Sequence, residues 1–138
     1  MRTYGPTGSR SFPSDRNPAN INALSGGPVA VAGGATTTIV TYTVPAGRRA
    51  EIRGVDAFLI ITIALAAGER ATVRNRVNTV IGPERILLGG SAIGASVALS
   101  GVQHYLTAGQ TIDVVGQVDG GVGAAEVAAA ITGVEYDA

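Results

Sequence analysis

The chain has 138 residues, and its ten basic residues, all Arg, are cancelled by ten acidic ones. That length supports one domain with tails, and zero net charge removes the global electrostatic case for binding nucleic acid or an anionic membrane. With no Cys and one His, disulfide frameworks, thiolate zinc sites, cysteine nucleophiles and multi-histidine metal centres are excluded, and no cofactor is expected.

Residues 1–27 hold three Pro and four Gly and follow neither a period of 2 nor one of 3.6. They read as an extended arm. Tyr4, Phe12, Ile21 and Leu24 are its only large apolar anchors, too little surface to fold alone but enough to lie along another surface. No apolar run of the kind a secretory signal needs follows Arg2, so the mature chain is expected to be the translated one.

From Pro28 onward the pattern is that of a β-domain over 28–138. Residues 36–44 are almost all β-branched or aromatic, with Val40, Tyr42 and Val44 on one face. Ala50 and Ile52 alternate with Arg49, Glu51 and Arg53, and then the apolar parity shifts to Val55, Ala57, Leu59, Ile61 and Ile63. A shift by one at Gly54 predicts a β-bulge. In residues 57–67 only Thr62 is polar. The run is too short for a membrane helix, which needs about 20 residues, and it reads as a strand covered on both faces. One cover is the core; for the other, a neighbouring subunit would place Phe58, Ile60 and Thr62 in an oligomer interface, while a central strand of a monomer is the alternative. Residues 71–81 alternate again, and further strands are expected over 84–88, 96–106 and 111–118. Residues 124–136 favour helix by Ala content, yet Val127, Ala129 and Ile131 alternate behind a Gly-rich turn, which predicts a hairpin return strand.

Three segments repeat one pattern: residues 44–52, 65–73 and 106–114 each carry Val or Leu, then Ala-Gly two residues on, then a resumed alternation. Each predicts a strand end, a turn through Gly and a new strand. Spacings of 21 and 41 residues are too uneven for a solenoid. The fold class is therefore all-β, an antiparallel sandwich of jelly-roll type with an extended N-terminal arm. The surplus apolar surface of 57–67 and 86–112 favours an obligate oligomer, with a homotrimer first because jelly rolls commonly pack that way.

Chemistry is sparse. His104 lies on the apolar parity of its strand, where packing or an internal hydrogen bond is the expected role. Ser96 or Ser100, His104 and Asp113 contain the residue types of a triad, but no nucleophile elbow supports one. Gly89–Gly94 lacks the Lys of a phosphate loop, and Asp119 with Glu126 lacks the ligand spacing calcium prefers. No enzyme activity is expected. The charges are segregated: all ten Arg lie in residues 1–85, which carry net +5, and residues 86–138 carry net −5. Arg70, Arg74 and Arg76 share a strand face, either solvated or a contact face for acidic protein groups. Without interleaved aromatics that face does not suit nucleic acid.

A small β-domain without Cys or Lys, with an extended N-terminal arm, Gly/Ala-rich strands and no catalytic constellation, resembles the head decoration (cement) proteins of tailed bacteriophages. The resemblance implies a virion location on the capsid surface, trimers bound to the major capsid protein, and residues 1–27 as a clamp anchored by Tyr4, Arg10, Phe12, Pro13 and Arg16. A carbohydrate- or receptor-binding jelly-roll domain of a phage fibre is the alternative. It would need exposed aromatics, whereas Tyr42, Phe58 and Tyr105 are expected to be taken up by their strands.

Overall fold

A computed structural model describes residues 17–101 and 103–138. The described residues contain ten strands: β1 (Ala19–Leu24), β2 (Val29–Val31), β3 (Thr36–Thr43), β4 (Arg48–Ile63), β5 (Arg70–Val77), β6 (Val80–Leu88), β7 (Ser96–Leu99), β8 (His104–Thr107), β9 (Thr111–Val118) and β10 (Ala124–Asp137). All pairings are antiparallel. One sheet runs β1-β10-β4-β7, with β2 continuing the β1 edge along β10 and β8 continuing the β7 edge along β4; the other runs β3-β9-β5-β6. With β1/β2 and β7/β8 each counted as one interrupted strand, the eight positions order as 1-8-3-6 over 2-7-4-5. That is a jelly roll.

The core lies between the sheets. Ile52, Leu59, Ile61 and Ile131 of the first sheet meet Val73, Ile112 and Val114 of the second, all fully buried. Aliphatic residues dominate, and among the described aromatics only Tyr136 is buried. The predicted bulge is present: pairing steps from Thr132–Gly54 to Gly133–Ile52, so Arg53 has no partner. Ile52 and Val55 can therefore both point inward.

The three repeated corners have one geometry. In each a four-residue turn closes through a backbone bond, Arg48 N to Pro45 O (3.2 Å), Glu69 N to Ala66 O (3.1 Å) and Gln110 N to Thr107 O (3.1 Å). The third residue is Gly47, Gly68 or Gly109, with φ +76, +81 or +84°, a conformation that costs a side-chain-bearing residue about 1–2 kcal/mol. Val44, Leu65 and Leu106, which open the corners, are buried. In the second and third corners the closing side chain also accepts the amide of the opening turn residue, Glu69 from Ala66 (2.7 Å) and Gln110 from Thr107 (2.8 Å). The first corner opens on Pro45, which has no amide to give, and closes on Arg48, which has no acceptor.

Several boundaries differ from the sequence expectation. Residues 19–24, expected within the arm, form β1 against β10 from Glu135 to Ala130. Only Ile21 and Ala23 alternate there with Asn20 and Asn22, too weak a pattern to register as a strand, although Ile21 is buried. The alternation read over 71–81 is two strands joined at Asn78–Thr79, whose φ values are +50 and +68°, as a two-residue hairpin of type I′ requires. Without a Gly the turn carries no sequence mark, and its stabilisation comes from Asn78, which exchanges two bonds of 2.9 Å with the Thr111 backbone. Thr79→Gly should raise stability by about 0.5–1 kcal/mol, the strain relieved less the added chain entropy, measured as an upward shift of the urea midpoint. The strand expected over 96–106 is interrupted: β7 pairs with Ala57–Ile60 of β4, and β8 with Arg49–Ile52.

Candidate functional site

The outer face of the six-stranded sheet is assembled from alternate residues of neighbouring strands. Ile52, Val55, Ala57, Leu59 and Ile61 of β4 point to the core, so Asp56, Phe58, Ile60 and Thr62 point out. The register sets Ala130 beside Asp56, Ala128 beside Phe58 and Glu126 beside Ile60 on one flank. Ala98 lies beside Phe58 on the other. Flanked by methyl-sized side chains, Phe58 borders an apolar groove of about 510 Å³ that reaches Leu24 and Gly26. Phe58 is 47% exposed and Leu24 58% exposed. Asp56 and Glu126 make no ion pair among the described residues. The three residues expected at an oligomer contact, Phe58, Ile60 and Thr62, thus share one uncovered face.

The opposite outer face carries Arg70, Arg74 and Arg76, and their guanidinium groups are engaged within the chain. Arg76 binds Asp113 bidentately, at 2.9 and 2.7 Å. Arg74 donates to Gln117 at 2.5 Å and lies 3.9 Å from Glu84; Arg70 pairs with Asp119 at 3.0 Å. Carboxylates of the same chain hold Arg70 and Arg76, and the Gln117 amide oxygen holds Arg74, where an acidic partner would bind. Asp113, faced outward onto Arg76, is not available to orient His104. His104 is on β8 in the other sheet, half-buried, and its Nε2 has no hydrogen-bond partner among the described residues. Burial lowers its pKa, so it packs as a neutral ring without the internal hydrogen bond.

Two further clusters escaped the sequence reading. At the root of the N-terminal segment, Arg48 pairs with Glu135 (3.3 Å) and Asp137 (2.7 Å) and donates to Asn17 O (2.8 Å). Asn17 donates to Asp137 (2.5 Å), and Tyr42 donates its hydroxyl to Glu135. Burial, then the bond to Glu135, raises the Tyr42 pKa. This cluster fixes where the chain enters β1. Arg48→Ala should therefore speed amide hydrogen exchange across residues 19–24 while leaving β9 protected. Tyr4, Arg10, Phe12, Pro13 and Arg16, the expected arm anchors, lie outside the described residues.

The second cluster is a carboxylate clamp. Glu69, only 7% exposed, accepts the amides of Ala66 (2.7 Å), Val122 (3.0 Å) and Gly123 (3.0 Å). These bonds, that of Ala66 first, lower its pKa. It ties the β4–β5 corner to the β9–β10 loop, where a Cβ on Gly120 would lie 2.2 Å from its Oε2. The sequence signal was the acid or amide that follows the corner Gly, at Glu69 and Gln110.

No protein-family model matches the chain, and no curated protein matches it. Among solved structures, the chain is similar to a chain of infectious bursal disease virus, Gx strain, at 13% identity and a TM-score of 0.48, covering 88% of this chain and 33% of that one. It is also similar to a chain of the T13 IBDV viral particle, at 13% identity and a TM-score of 0.41, covering 87% of this chain and 35% of that one. The chain spans about a third of the length of these proteins.

Proposed function

We propose that the chain is a structural virion protein that binds the outside of a phage capsid lattice as a homotrimer, contacts the major capsid protein, and stabilises the shell through many modest contacts that add by avidity. The observation that carries this reading is the uncovered apolar face around Phe58 on a jelly roll whose edges are guarded. The edge strand β6 holds Pro83 and a register shift within its pairing to β5, and the opposite edge strand β3 has a register shift between Thr38 and Val40 in its pairing to β9, features that oppose edge-to-edge addition, while the β1/β2 and β7/β8 edges are both interrupted. Contact therefore falls to faces. A two-fold face-to-face pair would bring the unpaired Asp56 and Glu126 of both copies into one contact, whereas a three-fold ring is heterologous and need not oppose a patch to itself.

The test is to incubate the purified chain with capsids lacking it and sediment the mixture. Saturable co-sedimentation is expected, together with a solution mass of three times the 13.8 kDa chain. Chain left in the supernatant at all concentrations refutes the capsid role, and a monomer mass refutes the trimer.

One observation favours a second reading, a carbohydrate-binding domain. Tyr105 lies in β8 but is 70% exposed, contrary to the expectation that its strand would take up the ring. Gln103 bridges it to Glu51, which pairs with Arg53. An exposed ring beside polar groups is how sugars are held, and a glycan screen that loses its signal on Tyr105→Ala would favour this reading over the first.

A further inference from the structure

We propose that the Phe58 face of one copy is covered by the β6 edge of the next, a head-to-tail contact that sets Arg85 of one chain against Asp56 of its neighbour. The proposal rests on the face being the assembly contact and names the surface it meets. The groove beside Phe58 is apolar, and Asp56 is the carboxylate on its wall, without an ion pair among the described residues. A purely apolar partner would bury that charge uncompensated, which is the costly case. The surface that closes the groove must therefore be apolar and bring a cation with it.

The β6 edge has both properties. Val80, Ile81, Ile86 and Leu88 are all exposed there, the densest run of uncovered large apolar side chains among the described residues. Ile81, Ile86 and Leu88 stand opposite Arg76, Thr72 and Arg70 on the outer side of the four-stranded sheet, while Arg85 stands opposite Val73 and so emerges at the rim. Arg85 is exposed, has no ion pair among the described residues, and donates to the neighbouring Glu84 carbonyl at 3.2 Å. The other described guanidinium groups are occupied: Arg48, Arg53, Arg70, Arg74 and Arg76 lie against acids, and Arg49 lies over the Tyr136 ring. Arg85 is thus the described cation left to answer Asp56. Two Phe58 faces, or two β6 edges, would bring like charges together, and the unlike pairing cancels both. Face and edge are adjoining sides of the sandwich, so successive copies turn relative to one another, as closure into a ring needs.

The chain has no Cys, so Ala98→Cys, in the groove, and Leu88→Cys, on the β6 edge, each place a single thiol on one of the two surfaces. Full-length chains of the two variants are mixed dilute, concentrated together and treated with a short bismaleimide. Cross-linked pairs containing one of each are expected, with little linkage in either variant alone. Asp56→Arg, and separately Arg85→Asp, should reduce the solution mass from three times 13.8 kDa to 13.8 kDa. The two substitutions in one chain should restore the trimer, a rescue that misfolding cannot mimic. Three results overturn the proposal: Ala98→Cys chains linked to one another, which makes the contact face to face; a trimer mass that survives Asp56→Arg; or a double variant that stays monomeric. A trimer mass for the unsubstituted chain alongside any of these leaves the assembly reading standing and refutes this contact alone, whereas a monomer mass for the unsubstituted chain refutes both.

Discussion

Replacing Glu69 by Gln is expected to lower the melting temperature by several degrees and to flatten the acid side of the stability profile. The carboxylate serves three backbone amides with two oxygens, Ala66 and Gly123 at Oε1 and Val122 at Oε2. A Gln side chain keeps one oxygen and turns an NH₂ group toward at least one of those donors, where it can accept nothing. Glu69→Ala leaves all three amides to find water in a site that is nearly closed, and its effect should be larger. The pH dependence follows from the lowered pKa. In the unfolded chain Glu69 takes up its proton near the ordinary glutamate value of 4.5, and in the folded chain only at lower pH. The stabilisation is therefore complete above that unfolded value and is lost as pH falls from it through the folded pKa. Thermal melts of wild type and Glu69→Gln should diverge most at neutral pH and converge in acid; parallel curves over the whole range would remove the clamp from any role in acid stability.

How much of this was legible before folding depends on how local the signal is. The corners were legible, because Ala-Gly at a strand end already encodes a left-handed residue and the alternation on either side fixes the two strands. The bulge at Arg53–Gly54 was legible for a similar reason, as one strand changed parity without a turn. The last strand was legible despite its Ala-rich propensity because Val127, Ala129 and Ile131 keep period 2, and tertiary burial overrides a weak helix preference. What was not legible lies across the sheet. Arg48 meets Glu135 and Asp137, and Glu69 meets Val122 and Gly123; no periodicity links residues so far apart in sequence. The Asn78–Thr79 turn was hidden because its left-handed residues lack the Gly that usually marks them. The exposure of Phe58 was half legible: its strand had a second apolar face, and only the sheet order shows that nothing in the described chain covers it.

Gly133→Ala is expected to be the most damaging single-methyl change in the sheet. Gly133 faces the bulge, where pairing steps from Gly54 to Ile52, and a Cβ there would lie 2.1 Å from Glu51 O and 3.0 Å from Ile52 Cα. Both obstacles are backbone, so no rotamer change relieves them. The two longest strands, β4 and β10, must separate locally or move the bulge, and moving it by one residue would exchange core and surface along the strand. Ile52 and Val55, both fully buried, would then lose their shared inward direction. An overpacked site with no soft neighbour costs about 3 kcal/mol, which urea unfolding would register as a large fall in midpoint at unchanged slope. Gly121→Ala, with open space around its Cβ position, serves as the control and should cost far less. Because β4 also presents Phe58 and Asp56 a few residues beyond the bulge, the same variant should weaken co-sedimentation with capsids in proportion to its unfolding. Full binding by a Gly133→Ala chain that melts early would show that the outer face survives loss of the bulge, and that its geometry is set by β7 and β10 rather than by the pairing at Ile52.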